Sequence, residues 1–160
     1  MRAAVDEIFQ KYGDKIFSAA FSVCRNRADA DDVVQDTLIR YYSLNKEFES
    51  EEHLKAWLLR VAINRAKDIV HSFWRRNQTQ WEDYMDELAF EEPEDSRLFE
   101  AVMALPEKYR TVIHLFYYED YAVDEIADIL RRPKGTVKSQ LSRGRTLLKN
   151  MLQEDWNDDE

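Results

Sequence analysis

The sequence predicts an all-α protein in which two small helical domains are joined by an acidic linker. Three Gly and three Pro among 160 residues are too few for the tight turns that β-sandwiches and barrels require. Apolar residues make up 44% of the chain, and they recur at the three- and four-residue spacing of amphipathic helices. The excess of acidic residues lies in two short segments, one that separates two helical stretches and one at the end of the chain.

The excess negative charge belongs to the linker and to a C-terminal tail. Residues 77–97 carry a net charge of −7 and residues 153–160 a net charge of −5, whereas the whole chain carries −9. Residues 1–76 and 98–152 carry only +1 and +2. Nucleic-acid-binding domains are usually basic, so the total charge of the chain argues against nucleic-acid binding. The charges of the separate segments do not. The two nearly neutral domains keep nucleic acid among the expected partners.

Three helices are predicted in the N-terminal domain. The first covers residues 5–23, and Asp29 is expected to cap the second, whose apolar face includes Tyr42. A loop over residues 45–51 leads to the third helix, in which Trp57 has the spacing of a core residue.

The C-terminal domain is predicted to be helical as well. Ser96 and Pro106 suit the starts of two helices, the second of which continues to about Tyr118. A short helix follows at residues 123–130. Between the domains, the linker is expected to hold a helical turn near residues 81–88.

Residues 123–145 have the spacing of a helix-turn-helix motif. Ala127 is small enough for two helices to cross closely, and Val137, ten residues later, fills their shared core. The last helix opens at Gly135 and offers a polar face to a DNA major groove. The alternative is an ordinary helical hairpin with a basic, solvated face. The candidate DNA-contacting residues are Lys134, Thr136, Lys138, Ser139, Gln140, Ser142, Arg143 and Arg145.

The chain resembles the extracytoplasmic-function group of bacterial RNA polymerase sigma factors, within the sigma-70 family. The resemblance implies a transcription initiation factor whose first domain binds core RNA polymerase and melts the −10 promoter element, while the second recognises the −35 element. It also implies that an anti-sigma factor holds the protein inactive. The four segments that carry the resemblance are DADDVVQDTLIRYY (29–42), LKAWLLRVAINRAKDIVHSFWRR (54–76), LPEKYRTVIHLFYYEDYAVDEIADIL (105–130) and KGTVKSQLSRGRTLLKNML (134–152).

The resemblance assigns roles to the first domain residue by residue. The segment that matches 29–42 docks on a coiled-coil part of the polymerase, although the same face is also typical of a solvated helix. The family holds a melted base with the loop before the third helix and with an Asn on that helix. Phe73 and Trp74 are either core residues or a stacking platform. The polymerase-binding candidates are Asp32, Gln35, Asp36 and Arg40, and the −10 candidates are Phe48, His53, Arg60, Asn64, Arg65 and Lys67.

Three positions depart from the family pattern. Arg131 stands where the helix-turn-helix turn usually has Gly, so a strained or altered turn is expected. Arg132 occupies a position that is usually apolar. Gln140 replaces the second basic residue of the recognition helix and is expected to shift the preferred base towards adenine.

No catalytic or cofactor-binding pattern is found in the sequence. His53, His71 and His114 are scattered, and neither HExxH nor a Gly-rich phosphate loop occurs. The single Cys24 fits a reducing compartment. We therefore expect a cytoplasmic protein that is not an enzyme, with no cofactor, no metal, no membrane insertion and no small-molecule substrate.

Two other functional classes fit part of the sequence. A polymerase-independent helix-turn-helix regulator is the main alternative, but it has no need for the segment 29–42 or for Asn64. A helical adaptor that binds only protein predicts that Arg143→Ala changes nothing on DNA, whereas loss of a base-contacting Arg costs about 1–3 kcal/mol.

Overall fold

The computed structural model describes residues 3–76 and 96–158, with the side chains of residues 3–72 and 97–153. All regular structure within these ranges is helical, as the sequence predicts. Three expectations concern positions outside the described part: the linker turn near 81–88 and the rings of Phe73 and Trp74.

The chain divides into two compact units, Met1–Leu88 and Ala89–Glu160. In the first unit, helices α1 (Val5–Cys24), α2 (Arg27–Ser43) and α3 (Glu51–Arg76) each pack against the other two. This arrangement encloses a core of aliphatic and aromatic side chains. The core includes Ile16, Val23, Val33, Tyr41, Trp57, Leu58 and Ile63.

Two expectations for α2 are wrong. The cap is Asn26, whose side chain accepts a hydrogen bond from the backbone N–H of Asp29 at 2.9 Å. The helix therefore begins three residues earlier than the Asp29 cap would allow, and Asp29 lies in its first turn, where a carboxylate suits the helix dipole. Tyr42 is expected on the apolar face, but the residue is 73% exposed, whereas the neighbouring Tyr41 is buried in the core.

Residues 96–158, the described part of the second unit, form four α-helices and one π-helical segment. These are α4 (Ser96–Ala104), α5 (Glu107–Ile113), the π-helical segment (His114–Tyr118), α6 (Val123–Leu130) and α7 (Lys134–Asp158). The single helix expected after Pro106 is thus α5 continued by wider turns. The backbone N–H of Glu119 bonds to the carbonyl of His114, five residues earlier, at 3.3 Å.

Helices α6 and α7 form the predicted helix-turn-helix. Ala127 and Val137 are both buried, as their spacing predicts. Behind the motif, α7 lies very close to α5 at Gly144, where an added Cβ would stand 2.7 Å from Ile113 Cδ1. Near the end of α6, Ile129 is buried in the core and Leu130 is half-buried.

The described ranges contain neither a membrane-spanning helix nor a metal-binding cluster. None of the helices there is long and apolar enough to cross a membrane. No group of three Cys, His, Asp or Glu side chains in the same ranges could hold a metal ion.

Candidate nucleic-acid interface

The exposed side of α7 carries most of the predicted DNA contacts. Thr136, Ser139, Ser142 and Arg143 are exposed, and their spacing places them opposite the buried Val137. Short polar side chains and one guanidinium therefore occupy the middle of the surface that a major groove would meet.

Arg143 contacts Tyr109 of α5 through its guanidinium. A hydrogen bond from Arg143 to the Tyr109 hydroxyl lowers the pKa of that phenol. The ring of Tyr109 is itself largely buried, so this contact connects the centre of the candidate surface to the core. An anchored Arg loses less conformational entropy when it binds a base.

Two predicted contacts at the edges of α7 are held by neighbouring segments. Lys134 Nζ lies 3.2 Å from Asp124 Oδ1 on α6. Arg145 donates through Nε to the Tyr117 hydroxyl at 2.6 Å, and its guanidinium stacks 5.0 Å from the centre of the Phe116 ring. The structure therefore turns Arg145 towards the π-helical segment rather than grouping it with Ser139.

An apolar groove adjoins Arg145 on the same unit. It lies between α4, the π-helical segment and the C-terminal half of α7, with a volume of about 1050 Å³. Its lining residues are Leu98, Val102, Ile113, Tyr117, Tyr118, Arg145, Leu148, Lys149, Leu152 and Gln153.

The turn between α6 and α7 adopts the shape that favours glycine, although Arg131 occupies it. Arg131 has φ 54° and ψ 50°, in the left-handed region, and its N–H caps α6 by bonding to the Ala127 carbonyl. The backbone of Arg131 is therefore strained, as expected, because residues that carry a Cβ disfavour the left-handed conformation.

The other two departures contact each other. Arg132 Nη1 donates a hydrogen bond to Gln140 Oε1 at 2.9 Å. Both side chains are half-buried, so the pair closes the gap between the turn and the first part of α7.

In the first unit, α3 gathers four of the six predicted −10 residues on one face. His53, Arg60, Asn64 and Lys67 are spaced by seven, four and three residues, which places them in one row. His53 and Asn64 are exposed, and Arg60 and Lys67 are half-buried. This row has the charge and the amide group needed to hold a single strand and to contact a base.

Phe48 packs into an aromatic cluster rather than standing free in the loop. Its ring centre lies 5.4 Å from that of Trp57, 5.5 Å from that of His53 and 6.3 Å from that of Tyr41. Trp57 is buried, as predicted. These aromatic contacts hold the loop before α3 against the core. Phe48 forms one wall of the predicted base-binding pocket, and the exposed His53 lies at the edge of that pocket.

The start of α3 is fixed by two further sets of contacts that the sequence analysis missed. The Ser50 hydroxyl accepts a hydrogen bond from the N–H of His53 at 3.0 Å, as an N-cap does. Glu51 accepts hydrogen bonds from Lys11 and Tyr12 of α1, and these two bonds lower the pKa of its carboxyl. The sequence signal for the cap is the Ser before the helical run; the contacts to α1 have no local signal.

Arg65 is separated from the row on α3. It lies on the side that faces α2, where its Nε donates to Asp36 Oδ2 at 2.7 Å. The structure therefore joins a predicted −10 residue to a predicted polymerase-binding residue.

The predicted polymerase-binding face of α2 also contains an exposed apolar side chain. Asp32, Gln35 and Arg40 are exposed and Asp36 is half-buried. Ile39, which the sequence analysis left out, follows Gln35 by one helical turn and is 62% exposed. Helical spacing alone could have placed Ile39 on this face, because residues four apart lie on the same side of a helix.

Comparison with known families identifies both units. Residues 8–80 match the family described as Sigma-70 region 2, and residues 96–148 match Sigma-70, region 4.

Curated relatives match over most of their length. The ECF RNA polymerase sigma factor SigW of Bacillus subtilis is 30% identical over 94% of this chain and 90% of its own. The ECF RNA polymerase sigma-E factor of Haemophilus influenzae is 31% identical over 80% of this chain and 77% of its own.

Among solved structures, the fold is similar to that of the sigma factor RpoE in complex with the anti-sigma factor NepR from Bartonella quintana. The TM-score is 0.75 at 23% identity, over 92% of this chain and 96% of that one. CnrH in complex with the cytosolic domain of CnrY gives a TM-score of 0.67 at 22% identity, over 94% and 88%.

Proposed function

The chain belongs to the extracytoplasmic-function group of sigma-70 RNA polymerase sigma factors, and from this premise we propose how its two units divide the work of initiation. As a member, it is a transcription initiation factor that binds core RNA polymerase and directs it to promoters. The match over residues 8–80 carries this conclusion, because a polymerase-independent regulator has no need for that region.

The polymerase-binding surface is the exposed face of α2. Asp32, Gln35, Asp36 and Arg40 supply polar contacts there, and Ile39 adds an apolar anchor among them. Exposed apolar side chains surrounded by polar ones are typical of protein interfaces.

The −10 element is opened and held by α3 and the loop before it. Asn64 contacts a base, His53 and Phe48 form the rim and wall of its pocket, and Arg60 and Lys67 hold the strand backbone. Arg65 belongs to this surface as well, and its ion pair with Asp36 links the surface to α2. Base contacts of this kind must repay the cost of unstacking.

The −35 element is recognised by α7. Ser139, Ser142 and Arg143 lie at the centre of the contact, and Thr136, Lys138 and Gln140 extend it. Lys134 and Arg145, which are held by Asp124 and Tyr117, contact the phosphates at its edges.

Four coarser features complete the proposal. The polymerase-binding domain covers 1–76, the acidic linker 77–97, the helix-turn-helix domain 98–152 and the acidic tail 153–160. An anti-sigma factor covers the α2 and α7 faces. The protein acts in the cytoplasm and is not itself an enzyme, since the polymerase performs the chemistry.

Run-off transcription with core polymerase, followed by start-site mapping across the host genome, tests the function. The chain should produce discrete starts that share two upstream elements. Ile39→Asp should abolish capture of core polymerase, whereas Asp14→Ala, at an exposed position of α1, should leave capture intact. No transcription by the unaltered chain would refute the proposed function, and normal capture by Ile39→Asp would refute the α2 surface.

A further inference from the structure

The contact between Arg132 and Gln140 fixes which end of the glutamine amide faces DNA. The two side chains meet at 2.9 Å, across the turn that joins α6 to α7. A guanidinium has five donors and no acceptor, so the amide atom that faces Arg132 is necessarily Oε1. The NH₂ group of Gln140 lies in the same plane as Oε1 and is directed away from Arg132.

This orientation conflicts with the usual way in which glutamine recognises adenine. That contact is bidentate: the amide oxygen accepts from adenine N6 while the amide nitrogen donates to N7. Oε1 keeps a second lone pair, but because it is turned towards Arg132, the NH₂ group is the part of Gln140 left to face a base. Guanine presents two adjacent acceptors, O6 and N7, on its major-groove edge, whereas adenine presents only N7 beside the N6 donor. A group that offers donors alone therefore matches guanine better than adenine.

The contact is built to persist when DNA binds. Arg132 is half-buried, so loss of the Gln140 acceptor would leave a partly desolvated charged donor without that hydrogen bond. Burial lowers the pKa of Arg132, while the carboxylate of Glu107 opposes this shift. A guanidinium remains charged under these conditions, and hydrogen bonds from charged donors are the stronger ones.

We propose that Arg132 is a positioning residue that sets the base preference of the recognition helix, by holding Gln140 Oε1 so that Gln140 favours guanine over adenine. The inference rests on the proposed function, because it requires that α7 contacts the −35 element. It replaces the adenine preference that the sequence alone predicts for Gln140.

The test is run-off transcription with core polymerase on templates randomised across the −35 element, each with a barcode in the transcribed region. The base position that Gln140 contacts is the one whose preference changes in Gln140→Ala. At that position the unaltered chain should favour guanine over adenine by about tenfold, the size of one good base contact.

Arg132→Met removes the donor and keeps an unbranched apolar stem. It releases Oε1, so the ratio of guanine to adenine should fall to one or below. Gln140→Glu provides a second variant at a partly exposed position. Its carboxylate still accepts from Arg132 but cannot donate, so the guanine preference should disappear and cytosine should gain, because Glu accepts from cytosine N4.

The outcomes separate the two hypotheses. If the unaltered chain transcribes no template, the proposed function fails. If it transcribes but Gln140→Ala changes no position, if adenine is preferred there, or if Arg132→Met leaves the ratio unchanged, this inference is overturned. Should Arg132→Met fail to fold by circular dichroism, an unchanged guanine preference in Gln140→Glu overturns it equally.

Discussion

Replacing Arg131 by glycine should stabilise the second unit. Arg131 is exposed and holds φ 54° and ψ 50°, a conformation that costs a residue with a Cβ roughly 1–2 kcal/mol. Glycine avoids this cost but brings about 0.5–1 kcal/mol of additional chain entropy to the unfolded state. The expected net gain is about 0.5–1 kcal/mol, which raises the melting temperature of a unit of this size by about 2–8 °C.

Calorimetry of the full chain, with a matched control, separates the backbone effect from the loss of charge. Arg131→Ala removes the same guanidinium but keeps the Cβ, so its transition should stay near that of the unaltered chain. Arg25 has the same backbone shape, with φ 53°, yet its side chain is buried. Arg25→Gly should therefore lower the transition of the first unit. Equal melting temperatures for Arg131→Gly and Arg131→Ala would refute the reasoning.

Three further predictions concern packing, protonation and the ion pair between α2 and α3. Gly144→Ala should destabilise the second unit by about 1–3 kcal/mol in urea unfolding, because its Cβ would overlap α5. Gly135→Ala, where no described atom lies within 4 Å of the new Cβ, should leave stability unchanged or raise it slightly. Burial lowers the pKa of His114 from 6.5 to about 4, so the unfolded state binds the extra proton first. The free energy of unfolding should then fall by about 3 kcal/mol as the pH decreases from 6.5 to about 4. His114→Phe should remove this part of the pH dependence of stability. The exposed Asp36–Arg65 pair should contribute less than about 1 kcal/mol to stability. Arg65→Gln should therefore change the melting temperature only slightly, and it should slow promoter opening because Arg65 belongs to the proposed −10 surface. A clear loss of stability would show that the pair is structural.

The helices were largely predictable because their signals are local. The apolar spacing of α1 and of the helix-turn-helix is contained within each segment, and Val137 and Trp57 are buried as that spacing predicts. The errors fall at the ends of elements. Asn26 and Asp29 are both good caps, and only the packing of the preceding turn decides between them. Tyr41 and Tyr42 are adjacent, so a small change in helix phase exchanges which of them is buried.

The sequence by itself determined the division into two helical domains, the segregation of negative charge into a linker and a tail, and the resemblance to a family. Each follows from composition or from a period that one segment contains. Only the tertiary structure decided which functional side chains are already engaged. Gln140 is held from eight residues away, Arg145 from 28 and Arg65 from 29. Helical periodicity predicts the face of the helix on which a side chain lies. The hydrogen-bond partner of a long polar side chain, in contrast, depends on which groups the packing of other helices brings within about 3 Å. For that reason the sequence pointed to adenine at Gln140, while the fold points to guanine.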